Sequence, residues 1–147
     1  MIELYHNGMS TCSQKVRLAL TEKKQDFKSH IYNLRAGEHK NEAYLKLNPK
    51  GVVPTLVHDT TVICESTVIN EYIDDCWSTP PLRPQDAFQR ARMRIWTKQL
   101  DEGVHAMAGV LSFALVFSIT PEKAAQSSVE KSTQSGDQLP SHVQILP

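Results

Sequence analysis

Residues 48–57, NPKGVVPTLV, turn the chain from a helical pattern to a strand pattern. Pro49 drives Asn48 away from helical geometry, so the helical pattern before it stops there. Beyond Gly51, the segment VVPTLVHDTTVI offers two β-branched runs around His58-Asp59-Thr60, which predicts a β-hairpin. Pro54 stands where a proline is tolerated, at the opening of a strand, and only about 5 to 6% of such peptide bonds are cis.

Working outward, STVINEYIDD returns to helical spacing through Val68, Ile69, Tyr72 and Ile73. Upstream, EHKNEAYLKLN is a weaker, partly polar helix, and FKSHIYN before it alternates enough for a strand. At the amino terminus, IELY is a short apolar strand. The helix after it shows Cys12, Val16, Ala19 and Leu20 at helical spacing. The order β-α-β-α-β-β-α implies a mixed sheet covered by helices, because crossover connections in the first half favour parallel pairing. Three prolines in CWSTPPLRPQD break this pattern and mark a linker. From Ala87 to about Ile119 the chain turns helical, with Phe88, Ala91 and Ile95 on one stripe and Trp96, Leu100, Val104, Met107 and Leu111 continuing it. That length suits one long helix, or two with a break near Gly103 or Gly109. After Thr120-Pro121 the sequence is polar and low in aromatics, which predicts a poorly packed tail.

Composition narrows the function classes. The 147 residues carry 16 basic and 16 acidic side chains, so no net field favours nucleic acid or an anionic membrane. The run VHAMAGVLSFALVFSIT falls short of the roughly 18 to 20 apolar residues that a membrane span needs. MIELYHNG lacks the basic and apolar pattern of a secretory signal, which makes the cytoplasm the expected location. The three cysteines, Cys12, Cys64 and Cys76, fit neither a disulfide framework nor a zinc site, and the six histidines show no ligand spacing, so no metal is expected.

Taken together, the element order, NPKGVVPTLV and CESTVINEYID resemble the glutathione transferase family, specifically its thioredoxin-like amino-terminal domain, over roughly residues 2 to 76. Ala87 to Phe117 resembles the start of the family's all-helical domain more loosely. The resemblance implies an α/β, thioredoxin-like glutathione-binding domain at 1–78, a linker at 79–86, a partial all-helical domain at 87–120 and a polar tail at 121–147. It also implies a shortened carboxy-terminal part, a homodimer, and glutathione and a small electrophile as substrates. The expected reaction is attack of glutathione thiolate on an electrophilic carbon. A glutathione-binding or dimerising module without turnover, and a glutaredoxin-like protein using Cys12, are the competing readings.

The same resemblance assigns residues. Pro54 becomes cis, and the Val53 backbone pairs with the cysteinyl part of glutathione like an added strand. Glu65 and Ser66, at a strand-to-helix junction, bind the γ-glutamyl end: Ser66 takes the carboxylate and Glu65 the ammonium. On the residues alone, Ser66 reads as a helix cap, and only the resemblance makes it a ligand. His39 and Lys40 match basic residues that hold the glycyl carboxylate in some classes, although such side chains are more often solvated. Val52 stands where several classes place Lys or Gln, leaving Lys50 as a nearby substitute.

Catalysis falls to MSTCSQKVRLAL, residues 9–20. Ser10 matches the catalytic serine of theta-like and zeta-like classes, and Cys12 the cysteine of the zeta-type Ser-Ser-Cys motif. A thiol near pKa 8.5 is only a few per cent ionised at pH 7. Lowering it by about two units takes roughly 2.7 kcal/mol, within reach of one charge-assisted hydrogen bond and a helix amino terminus. Cys12 lies near the apolar stripe and reads equally as a core thiol. Thr11 and Gln14 have capping-box spacing, so Thr11 is the expected cap and Ser10 the sulfur-facing residue. Lys15 and Arg17 read as a solvated helix face or a subunit contact.

Overall fold

A computed structural model describes residues 1–117, with side chains to Leu111. The expected helix end near Ile119 and the polar tail at 121–147 lie outside the described residues. The elements are β1 (Ile2–His6), α1 (Thr11–Glu22), β2 (Lys28–Ile31), α2 (Glu42–Leu47), β3 (Thr55–His58), β4 (Thr61–Cys64), α3 (Ser66–Cys76), α4 (Ala87–Gln99) and α5 (His105–Phe117). A 3-10 turn at Glu38–Lys40 precedes α2, and a π-helical turn at Leu100–Val104 joins α4 to α5. The β-α-β-α-β-β-α order and the helical start that follows it match the expected fold class. No described helix is long and apolar enough to cross a membrane.

The four strands form one sheet in the order β2-β1-β3-β4. β1 and β2 are parallel, as a helical crossover requires, while β3 is antiparallel to both β1 and β4. Alternation along β1 decides the two faces. Ile2, Leu4 and His6 are buried on one, where α1 supplies Val16, Ala19 and Leu20 and α3 supplies Ile69 and Ile73. Tyr5 faces the other side, its ring 6.2 Å from that of Tyr44 on α2 and stacked at 4.3 Å on His30. Leu4, Val16, Leu20, Leu56, Ile69 and Ile73 are wholly withdrawn from solvent. Each contributes about 1.5 to 3 kcal/mol of apolar burial.

Two compact units are present, one of residues Met1–Met93 and a second beginning at Arg94. The first extends past the linker because buried charges hold the linker down. Asp74 is 7% exposed and accepts from Lys23 Nζ at 2.5 Å, from the Leu82 amide at 2.8 Å and from Arg83 Nε at 3.0 Å. Lys23 also reaches the Pro80 carbonyl. α4 then starts on Asp86, whose Oδ1 accepts from the Gln89 amide at 2.9 Å.

Candidate functional site

Register gathers the expected site at one end of the sheet. Tyr5 pairs with Thr55, and Thr55 pairs with Cys64. The end of β1, the start of β3 and the end of β4 therefore lie side by side, within about 10 Å at the usual strand spacing. Three connections meet there: the β1–α1 loop with Ser10, the β3 approach with Val53-Pro54, and the β4–α3 junction with Glu65-Ser66. Because β2 runs parallel to β1 with His6 opposite Ile31, the loop leading to His39 and Lys40 starts from the same end. Both α1 and α3 begin at this edge, so two helix amino termini favour an anion there.

Ser10 is the N-cap of α1: its Oγ accepts from the Ser13 amide at 3.3 Å, and its carbonyl accepts from the Gln14 amide at 2.9 Å. This corrects the expectation that Thr11 caps the helix. Thr11 is already its first residue, and the Ser10 oxygen reaches the free amide three positions on. Capping uses a lone pair of Ser10 and leaves its O–H with no acceptor among the described residues. Cys12 sits one residue inside α1 and is half-buried.

The β3 approach rests on a buried polar network. The Val53-Pro54 bond is cis, as the resemblance implies. Asn48 is 2% exposed, and its Nδ2 donates to the Val52 carbonyl at 2.9 Å and to Thr55 Oγ1 at 3.2 Å, while its Oδ1 accepts from the Lys50 amide at 3.2 Å. Tyr44 Oη donates to the Val52 carbonyl at 2.7 Å and shares a 2.9 Å hydrogen bond with Thr55 Oγ1. Burial pushes the Tyr44 phenol above its ordinary range. Held from beneath in this way, Val53 keeps its amide and carbonyl without a backbone partner among the described residues. Sequence reading treated Asn48 only as a helix end, because nothing local shows that its side chain turns inward.

At the β4–α3 junction Glu65, not Ser66, occupies the N-cap position, with φ 68° and no capping side-chain bond. Such a conformation in a non-glycine residue costs of order 1–3 kcal/mol and concentrates at functional sites. Ser66 is the first helical residue, 8% exposed, and its hydroxyl has no hydrogen-bond partner among the described residues. The Glu65 carboxylate meets Lys50 Nζ at 2.7 Å, and that hydrogen bond raises the Lys50 ammonium above its ordinary range. Lys40 Nζ donates to the Lys50 carbonyl at 3.1 Å and lies across Gly51, whose φ of +56° and lack of Cβ make room for it. His39 is half-buried in the 3-10 turn. Lys15 is not merely a solvated residue, since its Nζ donates to Thr67 Oγ1 of α3 at 2.9 Å.

Among known families, a profile described as "Glutathione S-transferase, N-terminal domain" matches residues 9–76, the span that holds Ser10, Val53-Pro54 and Glu65-Ser66. Through this amino-terminal domain the chain belongs to the glutathione S-transferase family. It is 35% identical over 132 residues to Protein LigF of Sphingobium sp., covering 88% of this chain and 51% of LigF. It is 42% identical over 90 residues to Glutathione S-transferase 1 of Dianthus caryophyllus, covering 61% of this chain and 41% of that protein. The crystal structure of beta-etherase LigF from Sphingobium sp. superposes with a TM-score of 0.74 at 30% identity, covering 95% of this chain and 64% of that one. The chain thus spans about half the length of the curated relatives it matches.

Proposed function

We propose that this member of the glutathione S-transferase family binds reduced glutathione at the sheet end and joins its thiolate sulfur to an electrophilic carbon of a small molecule. One observation carries the reading. Ser10 caps α1 with an oxygen lone pair while its hydrogen stays unclaimed at a helix amino terminus. A thiolate placed there accepts that hydrogen and meets the positive end of the helix dipole, the two contributions that favour ionisation at neutral pH. Cys12 lies one position further along α1, so in this reading it supports the pocket while Ser10 serves the sulfur.

The rest of the ligand is assigned to the groups around the same edge. Val53 offers its amide and carbonyl to the cysteinyl unit, with Pro54 shaping the approach. The Ser66 hydroxyl and the first amides of α3 take the γ-glutamyl carboxylate. Glu65 takes the ammonium, for which it must leave Lys50. That pair is exposed, and such pairs contribute only about 0.2 to 1 kcal/mol, so the exchange is inexpensive. Lys40 and His39, beside the 48–51 loop, receive the glycyl carboxylate. Residues 1–78 form the binding domain, 79–86 the linker and 87–120 the start of the helical domain, and two copies associate as a homodimer. Glutathione titration of the full chain alongside a conjugation assay with an aryl halide tests the proposal. Saturable binding with turnover above the uncatalysed rate supports it. Binding without turnover leaves a glutathione-binding module, and disulfide reduction that Cys12→Ser abolishes would move the chemistry to a redox reaction.

A further inference from the structure

Arg17 is a residue for which sequence reading found only a surface role, yet its guanidinium points back beneath the loop that carries Ser10. Nη1 donates to the Asn7 carbonyl at 3.1 Å and lies 3.0 Å from His6 Nδ1, and Nη2 donates to the Gly8 carbonyl at 3.1 Å. We propose that Arg17 is a positioning residue, whose fork fixes the Asn7–Gly8 backbone and thereby sets where Ser10 presents its hydroxyl. The inference rests on the proposed role of Ser10.

The chemistry of the fork determines the state of His6. A guanidinium only donates, so His6 Nδ1 accepts and the ring proton sits on Nε2, which donates to Ser29 Oγ at 2.7 Å on β2. His6 is 5% exposed, and burial, followed by the neighbouring Arg17 charge, lowers its pKa and keeps it neutral. The ring is thereby a fixed point on β1 from which Arg17 is aimed.

The loop needs that aim at Gly8. Asn7 has holds of its own: its Nδ2 donates to the Tyr32 carbonyl at 2.8 Å and its Oδ1 accepts from the Met9 amide at 2.9 Å. Gly8 has no side chain, and among the described residues its carbonyl meets, apart from Arg17, only Gln14 Nε2, at 3.4 Å. Two residues later comes Ser10. A lysine keeps the charge and stem of Arg17 but cannot address both carbonyls and the imidazole from one rigid plane. A displacement of about 1 Å at a reacting group can cost up to about a hundredfold in rate.

The test is a double-mutant cycle on the full chain with Arg17→Lys, Ser10→Ala and both together, reading glutathione Kd and the thiol pKa of bound glutathione from thiolate absorbance. Arg17→Lys is expected to raise that pKa by about one unit, a tenfold smaller ionisation constant, with Kd changed by less than about twofold when measured at a pH below the bound-thiol pKa. In the Ser10→Ala background it should add nothing. Arg17→Met, which keeps the stem and removes every donor, should give at least the same shift and serves if the lysine variant fails to fold. An unchanged thiol pKa, or an equal shift with and without Ser10, overturns the inference. If Ser10→Ala itself leaves the thiol unchanged, the reading of Ser10 has failed, and the inference falls with it.

Discussion

Removing the Asn48 side chain should loosen the approach to Val53, and the structure gives both the size of the effect and a coupling that checks it. Asn48→Ala deletes one hydrogen bond of 2.9 Å and two of 3.2 Å. At about 1 kcal/mol for the first and less for the longer two, the loss is about 2 kcal/mol. Tyr44→Phe deletes the bonds of 2.7 and 2.9 Å, for a similar loss. The two do not add. Thr55 is fully buried, and after either single change its Oγ1 keeps one oxygen or nitrogen partner, at 2.9 or 3.2 Å. The double variant leaves that oxygen with only the Cys64 sulfur at 3.9 Å, so it should be less stable than the sum by a further 1 kcal/mol or more, the penalty of about 1–3 for an unsatisfied buried group. Urea denaturation of the four proteins measures the cycle, and glutathione titration of the same samples should show affinity falling with Asn48→Ala. Additive stabilities within about 0.5 kcal/mol would refute the idea that the two side chains jointly hold this loop.

Other outcomes follow from the charges and the backbone. Burial alone would push the Asp74 carboxyl up, but Lys23, the Leu82 amide and Arg83 together hold it below its ordinary range. Its stabilisation is present above the unfolded pKa of about 3.9 and is lost as pH falls through the lower folded value. Asp74→Asn, which leaves Lys23 buried without its anion, should cost about 3–5 kcal/mol at pH 7 and much less at pH 2, read from urea midpoints. Gly51→Ala puts a Cβ at φ +56° and 2.7 Å from Lys40 Nζ. It should destabilise by more than about 1 kcal/mol and weaken glutathione binding, measured by thermal melting and titration.

The parts of this fold that sequence could reveal are those written in a local period. β-Branched alternation at 55–64 gives the hairpin, and the spacing of Val16, Ala19 and Leu20 gives the buried stripe of α1. Which connections meet is not local: it depends on the register that sets Tyr5, Thr55 and Cys64 in one row. Family motifs supplied that information for Val53, Glu65 and Ser66. They supplied nothing for Asn48 or Arg17, whose side chains bond the backbone of loops several residues away. The cap of α1 lies one residue before the expected Thr11 because Ser10 and Thr11 are both good caps, and only the φ and ψ of Ser10 decide between them.

The proposed reaction turns on the Ser10 hydroxyl holding glutathione as thiolate. Titrating the thiol of bound glutathione by its ultraviolet absorbance, in the parent and in Ser10→Ala, tests it most directly. The parent should lower that pKa by about two units from the free thiol and Ser10→Ala should give back more than one, with Kd nearly unchanged at a pH low enough to keep the bound thiol protonated. Identical thiol pKa values in the two proteins would contradict it.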